Sequence, residues 1–205
     1  MNRDRAPGVG GEVVVATSNP GKLREIRAIL AERPISLCGL DAFPELRLPD
    51  EGEDYAENAA VKARTVARST GRPALGDDSG LEVAGLGGAP GPRSARFGGP
   101  GLDDAARVAA LLQAMAGLEG EQRQARFVCA AALATPEGEL LTAWGECAGR
   151  ILDAPRGRSG FGYDPVFEVA ELGKAMAELP AACKNRISHR ARAFRALLDR
   201  AGALV

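Results

Sequence analysis

Residues 125–134, ARFVCAAALA, form a nearly unbroken apolar run, and after the short TPEG segment a second apolar stretch, LLTAWGECAG, follows at 140–149. Two such runs joined by a Pro- and Gly-containing turn predict a β-hairpin whose first strand is buried on both faces. A strand of that kind has to lie at the centre of a sheet, with layers packed on either side. The rest of the chain supplies those layers. Val13-Val14-Val15-Ala16 is a short β-branched run, Asn19 can cap a helix and Pro20 suits its first position, and Leu23, Ile26, Ile29 and Leu30 then recur at helical spacing as far as about Arg33. Strand-like residues 35–38 and the acidic loop FPELRLPDEGED lead to a second helix, with Glu53, Asp54 and Glu57 early and Lys62, Arg64 and Arg68 late, the charge order a helix dipole favours. Gly71-Arg72-Pro73 breaks it. PALGDDSGLEV reads as two short strands around a polar turn. Asp103 or Asp104 can cap a third helix carrying Val108, Leu111, Leu112 and Met115, and Ala191, Phe194, Leu197 and Leu198 mark the inner face of the last. Strands alternate with helices but hairpins intrude, which predicts an α/β fold with a mixed sheet flanked by helices rather than a doubly wound parallel one.

At 205 residues the chain suits one large domain, residues 13–205, preceded by a leader at 1–12 that is expected to be flexible. No apolar run reaches membrane-spanning length, and MNRDRAPGVGGE lacks the apolar region of a signal peptide, so a cytoplasmic protein without a membrane partner is expected. Cys38, Cys129, Cys147 and Cys183 show no metal-binding spacing and are expected as free thiols. The formal net charge of −1 argues against nucleic acid as a bulk electrostatic partner while leaving room for a local basic pocket.

That pocket has visible candidates. Of 26 basic residues only four are lysine, namely Lys22, Lys62, Lys174 and Lys184. Where the chain departs from arginine, a compact ammonium point charge in place of a planar guanidinium fork suits a phosphate oxygen. Lys22 stands in the first turn of a helix, where a cation opposes the dipole but an anion is welcome. The surrounding TSNPGK is not a Walker loop, because Ala16 occupies the first glycine position and Leu23 follows the lysine. Asp77 and Asp78 in GDDSG repel one another unless a cation or donors relieve them, which suits Mg²⁺, although taken alone the segment is better read as an Asx turn in which Asp77 and Ser79 bond the backbone. Lys184-Asn185-Arg186-Ile187-Ser188-His189-Arg190 gathers cations, with the chain's only histidine, around a helix start if Ser188 is the cap, and a compensating anion is implied. Phe161 and Tyr163, set among the glycines of SGFGYDPVF, offer a platform for a flat ring.

Taken in order, ATSNPGK, ENAAVKAR, ALGDDSGLEV with APGPRSARFGG, SGFGYDPVF and K-x-x-x-S-H-R resemble the inosine/xanthosine triphosphate pyrophosphatases, over about residues 13–200. The resemblance implies an elongated mixed sheet in two lobes with a nucleotide cleft between them, a homodimer, and Mg²⁺-assisted hydrolysis of non-standard purine nucleoside triphosphates to the monophosphate and pyrophosphate. It assigns Thr17, Ser18, Asn19, Pro20, Gly21, Lys22 and Lys62 to the triphosphate, and Asp78 to the metal and to proton acceptance, supported by Asp77. Ser79 is implied as a substrate contact. Phe161, Gly162, Tyr163 and Asp164 match the loop around base and sugar, and Lys184, His189 and Arg190 match the residues that close over the base. The family's acidic loop often reads E-x-x-G with the glutamate serving the metal; here the piece is Pro49-Asp50-Glu51-Gly52, so Asp50 is expected as the second ligand, with Glu51 as the alternative. A septum-associated pyrimidine nucleotide pyrophosphatase and a nucleotide- or RNA-binding module are the rival readings.

Overall fold

The computed structural model describes residues 12–201, so most of the expected leader lies outside the described residues. Eight strands form one sheet: β1 (Val13–Ala16), β2 (Leu37–Cys38), β3 (Ala74–Val83), β4 (Pro90–Gly91), β5 (Gln124–Ala134), β6 (Leu140–Ile151), β7 (Phe167–Val169) and β8 (Lys174–Ala175). Their order is β2-β1-β3-β5-β6-β7-β8, with β4 on the side of β3. Five α-helices accompany them: α1 (Pro20–Ile29), α2 (Tyr55–Thr70), α3 (Asp104–Ala114), α4 (Ala181–Ile187) and α5 (His189–Ala201). β1 runs parallel to β2 and β3 through helical crossovers, whereas β3, β5, β6, β7 and β8 pair antiparallel in succession, so the sheet is mixed as the sequence predicts.

The long hairpin of β5 and β6 does sit at the centre. Alternate residues of β5 feed opposite cores. Cys129, Ala131 and Leu133 join Val13, Val15 and Leu75 against Ile26 of α1 and Phe194 and Leu197 of α5. Val128, Ala130, Ala132 and Ala134 join Val14 and Ala74 against Ala59, Ala63 and Val66 of α2. A third cluster, toward the far ends of the strands, packs Leu81, Val83, Phe127 and Ile151 on Val108, Leu111 and Met115 of α3. The helices approach closely because glycines face them: a Cβ at Gly76 would meet the Ala59 carbonyl, and one at Gly145 the backbone of His189 and Ala193.

Local signals for helix ends hold well. The Asn19 side chain accepts from the amides of Gly21 and Lys22, Asp54 caps α2, Gly71 ends it at φ 64°, and Asp103 rather than Asp104 caps α3. GDDSG differs from expectation. It is no turn: Ala74–Val83 is a single strand that pairs with β5 at every position from Ala74↔Ala134 to Val83↔Ala125. Neighbouring residues of a strand point to opposite faces, so the two carboxylates avoid each other by alternation rather than by sharing a cation.

Candidate active site

Asp77 is nearly completely buried on the α1/α5 face of β3. It forms an ion pair with Lys22, accepts from Arg190 Nε at 2.9 Å, and lies 3.2 Å from the Cys129 thiol. Burial alone would raise its pKa, but Arg190 and Lys22 hold the carboxyl well below the usual carboxylate range. Arg190, only 2% exposed, also donates to Glu25 at 2.5 Å and to Ser79 Oγ at 2.8 Å. Those three bonds leave two of the five guanidinium N–H groups for something else. Lys184 pairs with Asp164 and lies 2.7 Å from Glu25. The half-buried ring of Phe161 lies beneath both cations, 5.0 Å from Lys184 Nζ and 5.8 Å from Arg190 Cζ, and it packs so closely on Gly21 that a Cβ there would strike it.

Of these groups, Lys22, Phe161, Asp164, Lys184 and Arg190 line one cavity of about 230 Å³, between the α1/α5 cluster and the α3 cluster, together with Asn19, Ser79, Asp104 and His189. Ser188 accepts from the Ala191 amide as a cap would, and α5 begins at His189. The expected anion at this helix start is partly internal, since Asp77 and Glu25 answer Arg190. Lys184 and Arg186 lie in the last turn of α4, where the dipole favours a cation. The sequence pattern could not show that the two helices are separate. Tyr163 borders the same cavity, but its ring is packed into the core and its hydroxyl donates to the Ser94 carbonyl at 2.9 Å. His189 stacks on Phe127 at 4.8 Å with Nδ1 unpartnered, and burial, then the charges of Arg190 and Lys184, push its pKa well below the ordinary histidine value.

A depressed histidine pKa means that the unfolded chain binds the extra proton, so stability contributed by neutral His189 is present above about pH 6.5 and is lost as pH falls below it. His189→Phe keeps the stack on Phe127 and removes the titration. Between pH 6.5 and 5 the variant is expected to gain up to about 1.6 kcal/mol relative to wild type, as proton uptake by the unfolded imidazole rises from half to nearly complete. Parallel urea-unfolding curves at the two pH values check this, and an unchanged difference would mean that the imidazole is not held neutral.

Asp78 lies on the opposite face. Its Oδ2 accepts from Asn58 Nδ2 at 2.8 Å, and its Oδ1 lies 3.5 Å from Lys62 Nζ, which is bonded to Glu51 Oε1 at 2.8 Å. Burial raises the pKa of Asp78 despite Lys62 and Lys22. The two candidates for the second acid are placed differently. Asp50 is exposed, and it is Glu51 that the structure brings to Lys62 and Asp78. Asn58 is the reason: it clasps Gly52 through both backbone groups, at 2.7 and 3.0 Å, and this fixes the turn with Glu51 inward. Among the described residues no group of three or more His, Cys, Asp or Glu could hold a metal ion. A magnesium ion held by one or two carboxylates and by substrate phosphates needs no such group, and the hard oxygens of Asp78 and Glu51 fit it. Of the TSNPGK residues, Thr17 and Gly21 are buried, while Ser18 and Pro20 are exposed and with Thr17 border a separate depression against Leu40 and Phe43. Asn19 occupies two of the first helical amides, so Lys22 and the hydroxyls remain for an anion.

Glu25 and Asn58 were missed by sequence reasoning. Glu25 follows Lys22 by three residues and Asn58 precedes Lys62 by four, spacings that put each on its lysine's helix face.

The Ham1 family model matches residues 13–200. The chain belongs to the Ham1 family. A dITP/XTP pyrophosphatase from Geobacter sulfurreducens is 49% identical over 191 residues, 93% of this chain and 96% of that one. One from Thermus thermophilus is 51% identical, covering 93% and 91%. A HAM1 protein from Coxiella burnetii superposes with a TM-score of 0.82 at 38% identity, covering 92% of this chain and 97% of that chain. The Staphylococcus aureus Ham1 protein gives 0.81 at 34%, covering 93% and 97%. Membership of this family displaces the pyrimidine pyrophosphatase and RNA-binding readings. Among the described residues no helix is long and apolar enough to cross a membrane.

Proposed function

We propose that this Ham1 protein hydrolyses inosine, deoxyinosine and xanthosine triphosphates to the monophosphate and pyrophosphate, clearing them from the nucleotide pool. The observation that carries the reading is the buried Arg190 guanidinium, with two N–H groups to spare, beside Phe161 in a cavity that also holds Lys22. A 6-keto purine accepts hydrogen bonds from such donors, whereas adenine's 6-amino group would set donor against donor, leaving polar groups unpaired. The names of relatives half identical over nearly the whole chain support the same substrate class.

Thr17, Ser18, Lys22 and Lys62 hold the triphosphate in this proposal. Asp78 is the general base: Asn58 occupies Oδ2, which leaves Oδ1 to take the proton from the water that attacks the α-phosphorus. The bond to the β-phosphate breaks, and Lys22 and Lys62 neutralise the charge gathering on pyrophosphate. Asp78 and Glu51 are the residues that would hold Mg²⁺, which when bound polarises the phosphates. Residues 13–205 act as one two-lobed domain, and the working form is a cytoplasmic homodimer.

Pyrophosphate release measured over inosine, xanthosine, adenosine, guanosine and deoxythymidine triphosphates, with and without Mg²⁺, tests the reading. Expected is at least a hundredfold higher kcat/KM for inosine than for adenosine triphosphate, because a donor-lined site rejects a donor. Equal values for the two would sink the substrate assignment, and full activity after chelation would remove the metal.

A further inference from the structure

The first turn of α3 touches the walls of the cavity through Asp104 and Arg107, neither of which the mechanism above uses. Asp104 Oδ2 accepts from the Gly162 amide at 2.7 Å. Arg107, one turn on, donates to the carbonyls of Phe97 at 3.0 Å and Leu102 at 2.7 Å. This turn therefore grips both glycine-rich segments, 87–101 and 157–162, that border the cavity. The loop carrying Phe161 has its own inner fastening, since the Phe161 amide donates to Asp164 Oδ2 at 2.9 Å. Farther back, the amides of Arg158 and Ser159 bond the Ala177 carbonyl. Gly162 sits at φ 60°, and among the described residues its bond to Asp104 is the only hydrogen bond joining this loop to α3.

The helix does not need the Asp104 carboxylate for its cap, because Asp103 Oδ1 accepts from the Ala106 amide at 2.8 Å. We propose that Asp104 is a positioning residue for substrate: by tying the Gly162 amide to α3 it fixes the seat of Phe161 against Gly21, beneath Lys184 and Arg190. The proposal rests on the purine-binding role given to Phe161 above. A freed loop lets the ring leave its seat, and the loss falls on nucleotide binding rather than on the phosphoryl step, whose groups sit on β3, on α1 and α2 and on the segments leading into those helices.

Two variants and two measurements test it. In Asp104→Ala the KM for inosine triphosphate is expected to rise about tenfold with kcat within about twofold, the loss of one charge-assisted hydrogen bond. Asp104→Asn keeps an acceptor oxygen for the amide and is expected to restore KM to within about twofold of wild type. Hydrogen exchange in the free protein, with no nucleotide present, should be about tenfold faster over residues 158–165 in Asp104→Ala alone. Unchanged exchange overturns the tether whatever the kinetics give. Faster exchange with unchanged KM overturns the seating role. A wild type inactive on every purine triphosphate overturns the functional reading instead, and exchange then judges the tether by itself.

Discussion

Asp78→Asn is expected to lower kcat about a thousandfold, within the range that a positioned general base contributes, while leaving the protein at least as stable as wild type. The carboxyl is buried and its pKa is raised, so its ionised form is less favourable in the folded chain than in the unfolded one. Removing the charge therefore relieves the fold. Lys62 keeps its 2.8 Å bond to Glu51, and the amide oxygen can still accept from Asn58. Single-turnover rates alongside thermal unfolding check both halves. A folded Asp78→Asn protein with substantial turnover would take the proton-accepting role away from this residue.

Asp77→Asn is expected to do the reverse, costing about 3 kcal/mol of stability before any question of catalysis arises. It leaves Arg190 buried with one carboxylate instead of two and deprives Lys22 of its partner, and breaking a buried ion pair from one side costs roughly 3–5 kcal/mol. For a chain of this length the melting temperature should fall by roughly 6–12 °C. The pH dependence has a definite sign. The folded pKa of Asp77 is depressed, so its stabilisation is complete above the unfolded value near 4 and is lost as pH falls through the folded one. Wild type should accordingly lose more stability than Asp77→Asn between about pH 4 and 2. Equal melting temperatures at pH 7 would show that Asp77 is not what holds the two cations.

The contrast explains which parts of the molecule were legible in the sequence. Features fixed by a few adjacent residues were read directly: the Asn19 cap with Pro20 behind it, the stop at Gly71, and the β5–β6 hairpin. The turn assigned to GDDSG failed because the partners that straighten it are remote. Ala130 and Ala131 supply the backbone ladder, and Lys22, Arg190, Asn58 and Lys62 supply the charges and donors, none of them neighbours in sequence. The choice between Asp50 and Glu51 as the second acid stays open in the sequence for a similar reason. Nothing in PDEG says which of two consecutive acids faces inward until Asn58 clasps Gly52. The cation cluster was visible as composition, but Glu25, which shares Lys184 and Arg190 with other acids, needed the meeting of α1 with α4 and α5.

Asp77 and Asp78 share a single peptide unit, yet one holds the cations beside the proposed base pocket while the other faces the opposite side, where the proposed chemistry takes place. That unit works as a ruler. The offset between the two carboxylates is set by covalent geometry and by the pairing of β3 with β5, not by where α1, α2 and α5 pack. Side-chain substitutions on the helices can weaken either half without changing their spacing. Inserting one residue between Ala74 and Asp77 would reverse the faces, turning Asp77 toward α2 and Asp78 toward α1 and α5, so this strand tolerates changes of chemistry far better than changes of length.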